Sequence, residues 1–300
     1  MVYHKPVLLK ESIDGLNIRQ DGTYVDLTFG GGGHSREILS RLGRGRLIAF
    51  DQDEEAEKEA KGISDDRFMF VRSNFRFFRN FLRYHEVGMV DGILADLGLS
   101  SRHIDDPSRG FSFRSGGSLD MRMNRNASLK ALDILNSYDK ERLMGVFSAY
   151  GEVHNPGKLA GMISDARAVT PINDIGRFIE TITECIPSRQ ENKYLARVFQ
   201  ALRIEVNNEI EVLKQMLLQV LLSLKKEGRL AIRSYHSLED RIVKNFMRTG
   251  KPEGNLEKDF FGNPLVPFDL VTRKAIAPGN GEIKGNSRAR SARLRIARRN

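Results

Sequence analysis

Four consecutive glycines followed by a histidine lie near the start of the 300-residue chain, in residues 28–35 (TFGGGGHS). They directly follow a short apolar run and open a helical pattern. Glycines let backbone amides approach a ligand closely, and a helix start offers unpaired N–H groups and positive potential. Asp51 lies 18 residues after Gly33, where a carboxylate can accept both hydroxyls of a ribose. This pattern predicts a site for an adenosine cofactor; the alternative is a tight turn followed by a surface aspartate.

Two other uses of a glycine-rich turn fit these residues less well. A P-loop needs a lysine followed by serine or threonine after the glycines, and this chain has none there. A nicotinamide-dependent dehydrogenase also combines a glycine turn with an acid, but its glycines are spaced Gly-x-Gly-x-x-Gly rather than contiguous. A binding assay that compares a nicotinamide cofactor with the other adenosine cofactor distinguishes a dehydrogenase from the protein predicted above.

Asp96 is a second acidic position that follows an apolar run, residues 90–95, and precedes the sequence LGLSS. Open α/β sheets place reacting groups at the carboxyl ends of central strands. Asp96 is therefore predicted to hold the amino acid part of a cofactor or to accept a hydrogen bond from a substrate amine; the alternative is a simple cap of the following loop. His236, after the run 229–235, is predicted either to contact the target or only to begin the next helix.

A parallel sheet has to bring these residues together. Short apolar runs flanked by Gly and Asp are typical of buried parallel strands. They alternate with helical patterns, which predicts an α/β fold with helices on both faces of an open sheet. The predicted strands are residues 24–27, 47–50, 68–71 and 90–95, and residues 268–276 and 292–297 are predicted to pair as an antiparallel edge.

Helical patterns without a clear strand replace this alternation after residue 103. A loop rich in Gly, Ser, Arg and Asp comes first, and a long helix over 194–226 leads back to a strand at 229–235. Other helices are predicted at 129–147, 158–168, 173–185 and 237–247, the last with Ser237 and Asp240 as a capping box. This profile predicts a helical domain, 104–205, inserted between the two parts, 1–103 and 206–300, of an α/β domain.

The charge of the chain favours a polyanionic partner. Lys and Arg total 48 against 39 Asp and Glu, a net charge of +9. Seven of the nine excess charges lie in residues 283–300: Lys284, Arg288, Arg290, Arg293, Arg295, Arg298 and Arg299. A basic terminus favours nucleic acid through phosphate neutralisation, with a solvated tail as the alternative. Arginines interleaved with Phe111 and Phe113 in residues 107–130 predict a loop that stacks on unpaired bases.

Composition excludes several other classes of protein. A single cysteine, Cys185, excludes an internal disulfide and a multi-cysteine zinc site, and no His, Asp or Glu spacing predicts a dedicated metal site. The longest apolar stretch, 216–224, is broken by Gln219 and is far shorter than the roughly 20 residues of a membrane helix. Lys5 and Pro6 stand where a signal peptide has its apolar centre, so a cytoplasmic protein is expected.

Several long blocks resemble the S-adenosylmethionine-dependent ribosomal RNA small subunit methyltransferase H family, also called MraW. The likeness runs in order from residues 4–9 (HKPVLL) to 286–291 (NSRARS). The blocks between are GGGGHS at 30–35, DLGLSS at 96–101, RGFSF at 109–113, LDMRM at 119–123, FQALRI at 199–204 and HSLEDRIVK at 236–244. The resemblance implies a class I, Rossmann-like methyltransferase fold interrupted by a helical domain. It also implies N4-methylation of a cytidine in the decoding region of 16S ribosomal RNA, with that RNA or the small subunit as partner.

The resemblance also implies roles for individual residues. Gly32, Gly33 and His34 match the family's cofactor loop, Asp51 matches its ribose-binding acid, and Phe75 and Asp96 match two further cofactor contacts. The family usually has glutamine at the position of His103, whose imidazole can still donate or accept one hydrogen bond.

The implied reaction needs orientation more than it needs a strong base. The sulfonium of S-adenosylmethionine is an activated methyl donor, so in-line displacement without a covalent intermediate is expected. Asp96, or the carbonyls of Leu97 and Gly98, is predicted to accept the hydrogens of the exocyclic amine. Two rivals are a non-catalytic RNA-binding protein with the same fold and a DNA cytosine-N4 methyltransferase. The second typically has Pro-Pro followed by an aromatic residue after the acid, unlike Leu97-Gly98-Leu99.

Overall fold

Seven strands form one sheet in the computed structural model, which describes residues 6–114 and 116–300. The strands are β1 (Thr23–Asp26), β2 (Arg46–Asp51), β3 (Phe68–Arg72), β4 (Val90–Asp96), β5 (Leu224–Ser234), β6 (Phe268–Leu270) and β7 (Arg293–Arg299). Their order is β3-β2-β1-β4-β5-β7-β6. The first five strands are parallel, and β6 and β7 add an antiparallel edge. Lys5, used above against a signal peptide, lies outside the described residues.

Thirteen α-helices accompany the strands in the described part of the chain. They are α1 (Leu9–Leu16), α2 (Gly33–Arg41), α3 (Glu54–Ala60), α4 (Phe78–Tyr84), α5 (Ser101–Asp105), α6 (Ala131–Ser137), α7 (Lys140–Gly151), α8 (Pro156–Val169), α9 (Ile175–Ile182), α10 (Glu191–Asn207), α11 (Glu209–Ser223), α12 (Ser237–Thr249) and α13 (Asn280–Gly285). None of the helices described is long and apolar enough to cross a membrane.

The chain divides into two compact units. The first comprises residues 1–98 and 210–300 and contains the whole sheet; the second comprises residues 99–209 and is helical. Each unit has its own buried core: Val25, Ile93 and Ile232 belong to the first, and Phe147 and Phe178 to the second. The sequence-based boundaries, 103/104 and 205/206, differ slightly from those of the structure.

Alternate residues of the central strands pack on opposite faces of the sheet. Ile93 and Ala95 of β4 lie in the core that includes residues of α11 and α12. Leu94, between them, lies in the core that includes residues of α1 and α2. Side chains of a strand alternate between the two faces of the sheet, so a strand that is buried on both faces has apolar side chains at successive positions. The predicted α/β fold with helices on both faces of the sheet is therefore confirmed.

Two helices predicted as single elements are each broken in two. The predicted extent of the long helix over 194–226 was wrong. Helix α10 ends at Asn207, and its C-cap residue Asn208 has a left-handed φ of 50°. Helix α11 ends before Leu224 begins β5. Asparagine tolerates that conformation better than most residues, which allows the chain to turn there. The helix over 129–147 is interrupted because Asp139 caps α7 by accepting a hydrogen bond from the Arg142 amide at 2.7 Å.

The basic C-terminus includes the strand β7, as the predicted antiparallel edge requires, and is not the solvated tail that was the alternative. Leu294 and Ile296 of β7 are buried, and this alternation fixes the strand against β5. Arg295 donates to both carboxylate oxygens of Asp240, at 2.7 and 2.9 Å. Arg298 pairs with Glu227 and Asp269. These two arginines therefore neutralise the protein's own acids.

Candidate active site

The glycine turn connects β1 to α2 and has the backbone conformation that glycine favours. Gly30 and Gly32 have φ values of 55° and 75°, in the left-handed region. A side chain at Gly32 would lie 2.6 Å from the ring of Phe29, so that position also lacks room for one. At Gly31, by contrast, an added Cβ meets no described atom within 4 Å. Among the described residues, the turn thus leaves space beside its own backbone, which suits close approach of a ligand.

Asp51 ties this turn to the end of β2. Its Oδ2 accepts a hydrogen bond from the Gly30 amide at 2.9 Å, and its Oδ1 accepts one from the Asp53 amide at 2.9 Å. Each carboxylate oxygen has a second lone pair, so the group can still accept hydrogen bonds from two ribose hydroxyls. The sequence places Asp51 at the end of a strand; the structure adds its contact with the glycine turn.

Asp26, at the end of β1, is a functional candidate that the sequence analysis missed. Its side chain is fully buried beneath the glycine turn. Oδ2 accepts a hydrogen bond from the Ser35 hydroxyl at 2.7 Å, and Oδ1 accepts one from the Thr28 amide at 3.1 Å. Burial raises its pKa from the usual 3.8 to about 6, although these hydrogen bonds oppose the change. Its position immediately before the segment LTFGGGG is the sequence signal that could have identified it.

His34 begins α2 and is buried on the same side of the sheet. Burial, followed by the positive charge of Arg233, lowers its pKa to about 3, so the imidazole is neutral at physiological pH. Its Nε2 is buried and makes no hydrogen bond within the described part of the chain. A buried polar atom without a partner is costly, which favours a bound group that supplies one.

Asp96 forms an ion pair with Arg233 on the neighbouring strand. The two residues face each other in the parallel register of β4 and β5, and Nε and Nη2 of Arg233 bond to the two carboxylate oxygens of Asp96. The arginine side chain is 3% exposed and the aspartate side chain 23% exposed. The Asp96 amide also donates to the Thr28 hydroxyl at 2.6 Å. Arg233 was not identified as a site residue from sequence, although a charge within the apolar run LAIRSY is a signal for it.

The strand period explains why Asp26, Asp96 and Arg233 share one face. Each lies two residues beyond a side chain in the core that includes residues of α1 and α2; those side chains are Tyr24, Leu94 and Ala231. All three charged residues lie at the carboxyl ends of parallel strands. With His34 at the start of α2, they form what we call the buried charge cluster.

His236 has a local structural role. It is the N-cap of α12, and its Nε2 lies 3.2 Å from a carboxylate oxygen of Glu239. The predicted capping box of Ser237 and Asp240 was therefore wrong by one residue, because Asp240 pairs instead with Arg295. The second oxygen of Glu239 accepts from the Tyr235 amide at 2.9 Å. Contact of His236 with a target base stays a prediction.

Phe75 and His103 belong to different units. Phe75 follows β3 and begins a short 3₁₀ helix, where it is half-buried. His103 belongs to the helical unit, is buried, and packs against the ring of Phe111 with 5.2 Å between ring centroids. Cofactor contacts of both residues stay predictions.

Part of the segment 107–130, which the sequence predicts to stack on unpaired bases, packs within the protein. Arg109 and Phe111 are buried, and Nη2 of Arg109 donates to the carbonyls of Arg122 and Met123. Arg122 pairs with Asp120 at 2.7 Å and donates to two further carbonyls. Arg109, Phe111 and Arg122 therefore stabilise the segment itself, a role that the sequence pattern could not distinguish from RNA binding. Arg114 and Arg125 of the same segment are exposed, and base stacking stays a prediction.

The residues at the carboxyl edge of the sheet fit S-adenosylmethionine. Three features suit a ligand with a sugar and a charged amino acid end. No described atom fills the space beside Gly31, Asp51 is placed for a ribose, and buried nitrogens of His34 and Arg233 have no partner among the described residues. The strand order and this site define a class I methyltransferase.

Comparison with known proteins gives the family. The model of the MraW methylase family matches residues 1–300, and the chain belongs to that family. It is 59% identical over 99% of its length to ribosomal RNA small subunit methyltransferase H of Bacteroides thetaiotaomicron, covering 97% of that protein. It is 52% identical to the protein of the same name from Cytophaga hutchinsonii, with 99% of this chain and 100% of that protein covered. A solved rRNA methylase from Streptococcus thermophilus is a distant likeness, with 12% identity, a TM-score of 0.40, and 100% and 98% of the two chains covered.

Replacing Asp26 by asparagine is expected to change how stability depends on pH. A carboxyl whose pKa rises from 3.8 to about 6 on folding stabilises the protein fully below pH 3.8 and loses that contribution as pH rises through 6. The loss corresponds to roughly 3 kcal/mol. The free energy of unfolding of the D26N variant should therefore gain about this amount over wild type between pH 4 and pH 7, measured by urea denaturation.

Asp65 provides a control of opposite sign. Hydrogen bonds from Arg67 lower the pKa of this partly buried carboxyl from 3.8 to about 2, so D65N should lose stability relative to wild type as pH rises from 2 to 4. Between pH 4 and pH 7 the stability difference between D65N and wild type should stay nearly constant. A constant difference between D26N and wild type across this pH range would contradict the assignment of a raised pKa to Asp26.

Proposed function

We propose that this chain transfers the methyl group of S-adenosylmethionine to N4 of a cytidine in the decoding region of 16S ribosomal RNA. The main support is the combination of the glycine turn, Asp51 and Asp96 at one edge of the sheet with near-full-length similarity to proteins named ribosomal RNA small subunit methyltransferase H.

The chain's residues are proposed to hold the cofactor along the carboxyl ends of the strands. Asp51 accepts the ribose hydroxyls, the backbone of Gly32 and Gly33 borders the ligand, and an aromatic ring at Phe75 can lie against adenine. When bound, the cofactor supplies a methyl group already activated by a sulfonium. No protein nucleophile is required, and Cys185 is buried in the helical unit, where burial raises its pKa.

Asp96 is proposed to orient the target amine. Arg233 occupies one bonding direction on each of its carboxylate oxygens, and each oxygen can accept one further hydrogen bond. One acceptor direction suits the amino group of the cofactor, and the other suits a hydrogen of the cytidine amine. The carbonyls of Leu97 and Gly98 are alternative acceptors for that hydrogen. Holding the amine at near contact with the methyl group contributes most of the rate enhancement.

RNA recognition is proposed to rest on the helical insertion, predicted at 104–205. Arg114, Arg125 and Arg189 are exposed in this unit and can contact phosphates. The proposed substrate is 16S ribosomal RNA or the small subunit, and the proposed location is the cytoplasm.

A methyl-transfer assay tests this function. Purified protein is incubated with labelled S-adenosylmethionine and with either small subunits or free 16S RNA from cells lacking the enzyme. Mass spectrometry of the digested RNA should detect N4-methylcytidine, and comparison of the two substrates identifies the preferred one. A Cys185→Ser variant should retain the activity. Exclusive formation of 5-methylcytidine, or transfer to DNA alone, would overturn the proposal.

A further inference from the structure

One nitrogen of Arg233 remains unused in the buried charge cluster. Nε and Nη2 bond to Asp96, but Nη1 is buried and makes no hydrogen bond to any part of the chain that the structure describes. The guanidinium is planar and presents its donors in two directions, so Nη1 lies away from the edge that holds Asp96. A buried, charged donor without an acceptor costs about 1–3 kcal/mol or more.

We propose that Nη1 of Arg233 binds the carboxylate of the amino acid end of S-adenosylmethionine. This inference rests on the proposed function and extends it by assigning a binding residue on β5. The ligand's amino acid end is a zwitterion, and the Asp96–Arg233 pair presents a negative and a positive group side by side. The cofactor's ammonium therefore lies toward Asp96 and its carboxylate toward Arg233.

The strand order is consistent with this orientation of the cofactor across the sheet. Asp51 ends β2, and the next strands across the sheet are β1, β4 and β5. Neighbouring strands lie about 4.8 Å apart, so Arg233 is three strands, roughly 14 Å, from the ribose-binding acid. Arg233 has a long side chain, and a cofactor extended from ribose to carboxylate is proposed to span most of this interval. Its amino acid end then reaches β4 and β5 rather than β3.

The surroundings of Arg233 favour an anion over another cation. His34 is neutral and its Nε2 lacks a partner, and Tyr235 lies beside the guanidinium with 5.6 Å from Cζ to its ring centroid. The acids near Arg233 are Asp26, which accepts from Ser35 and Thr28, and Glu282, which accepts from the Leu8 amide at 2.7 Å. Both acids are already bonded elsewhere, so a ligand carboxylate meets a donor that the protein leaves available.

Calorimetry with two ligands tests this assignment. S-adenosylhomocysteine carries the carboxylate, and its decarboxylated analogue keeps the amine but lacks the carboxylate. In an Arg233→Met variant, affinity for S-adenosylhomocysteine should fall roughly 10- to 100-fold, the range for a hydrogen bond to a charged group. Affinity for the decarboxylated analogue should stay unchanged or increase, because Asp96 then meets the ammonium without competition.

Arg229→Met is the matched control, since Arg229 lies on the same strand, four residues before Arg233. It should leave both affinities unchanged. Equal losses for the two ligands in Arg233→Met would assign Arg233 a purely structural role and overturn the inference while leaving the proposed function intact. Failure of the wild-type protein to bind S-adenosylhomocysteine at all would instead overturn the proposed function.

Discussion

Replacing Asp96 by asparagine is expected to reduce methyl transfer at saturating cofactor by at least about 1,000-fold. The proposed role of this carboxylate is to accept a hydrogen bond from the target amine and orient it, and positioned acid–base groups typically contribute about 10²–10⁴ in rate. Asparagine has similar shape but presents an NH₂ group toward one of its partners. The turnover number measured on small subunits checks this expectation, and the affinity for S-adenosylhomocysteine separates catalysis from binding.

The single substitution also leaves Arg233 buried without its partner, which can cost about 3–5 kcal/mol of stability. A double variant, Asp96→Asn with Arg233→Met, removes both charges and restores a neutral interior. It should fold, as measured by thermal unfolding, and remain inactive. Wild-type turnover in this folded double variant would rule out an essential role for the Asp96 carboxylate.

Replacing Asp51 by alanine is expected to weaken binding of S-adenosylhomocysteine by roughly 10²–10⁴-fold. Two hydrogen bonds from ribose hydroxyls to a charged acceptor are lost, and each contributes about 1.5–3 kcal/mol. The Gly30 amide also loses its acceptor, so the glycine turn is held less firmly. Calorimetry with the wild-type and variant proteins measures the change.

An analogue that lacks both ribose hydroxyls distinguishes these two effects. Its affinity should be similar for wild type and Asp51→Ala if the ribose contact dominates. Asp53→Ala is the neighbouring control: Asp53 caps α3 by accepting from the Glu55 amide at 3.1 Å, so its loss should cost about 1 kcal/mol of stability and leave affinity unchanged. A large loss of affinity in Asp53→Ala, with little in Asp51→Ala, would contradict the ribose assignment.

The sequence was most informative where local chemistry and strand context coincide. The apolar runs around residues 24–27 and 90–95 predicted buried parallel strands, and the glycine run predicted a turn between strand and helix. Both predictions hold because a short apolar run and a left-handed turn are set by nearby residues. Charge patterns were less reliable. Arg109, Arg122 and Arg295 carry the same charge whether they bind phosphate or an internal carbonyl or carboxylate, so sequence alone could not separate the two uses.

The sequence by itself determined the α/β fold class, the family and the glycine turn, because the patterns that indicate them lie in contiguous segments. Tertiary structure alone decided that Asp26, His34, Asp96 and Arg233 share one buried cluster. Asp96 and Arg233 are separated by 137 residues, and only the parallel register of β4 and β5 brings them into contact. A donor that is buried away from water needs an acceptor nearby. The tertiary structure therefore decides which polar atoms of these two residues have a partner within the protein and which can bind a ligand.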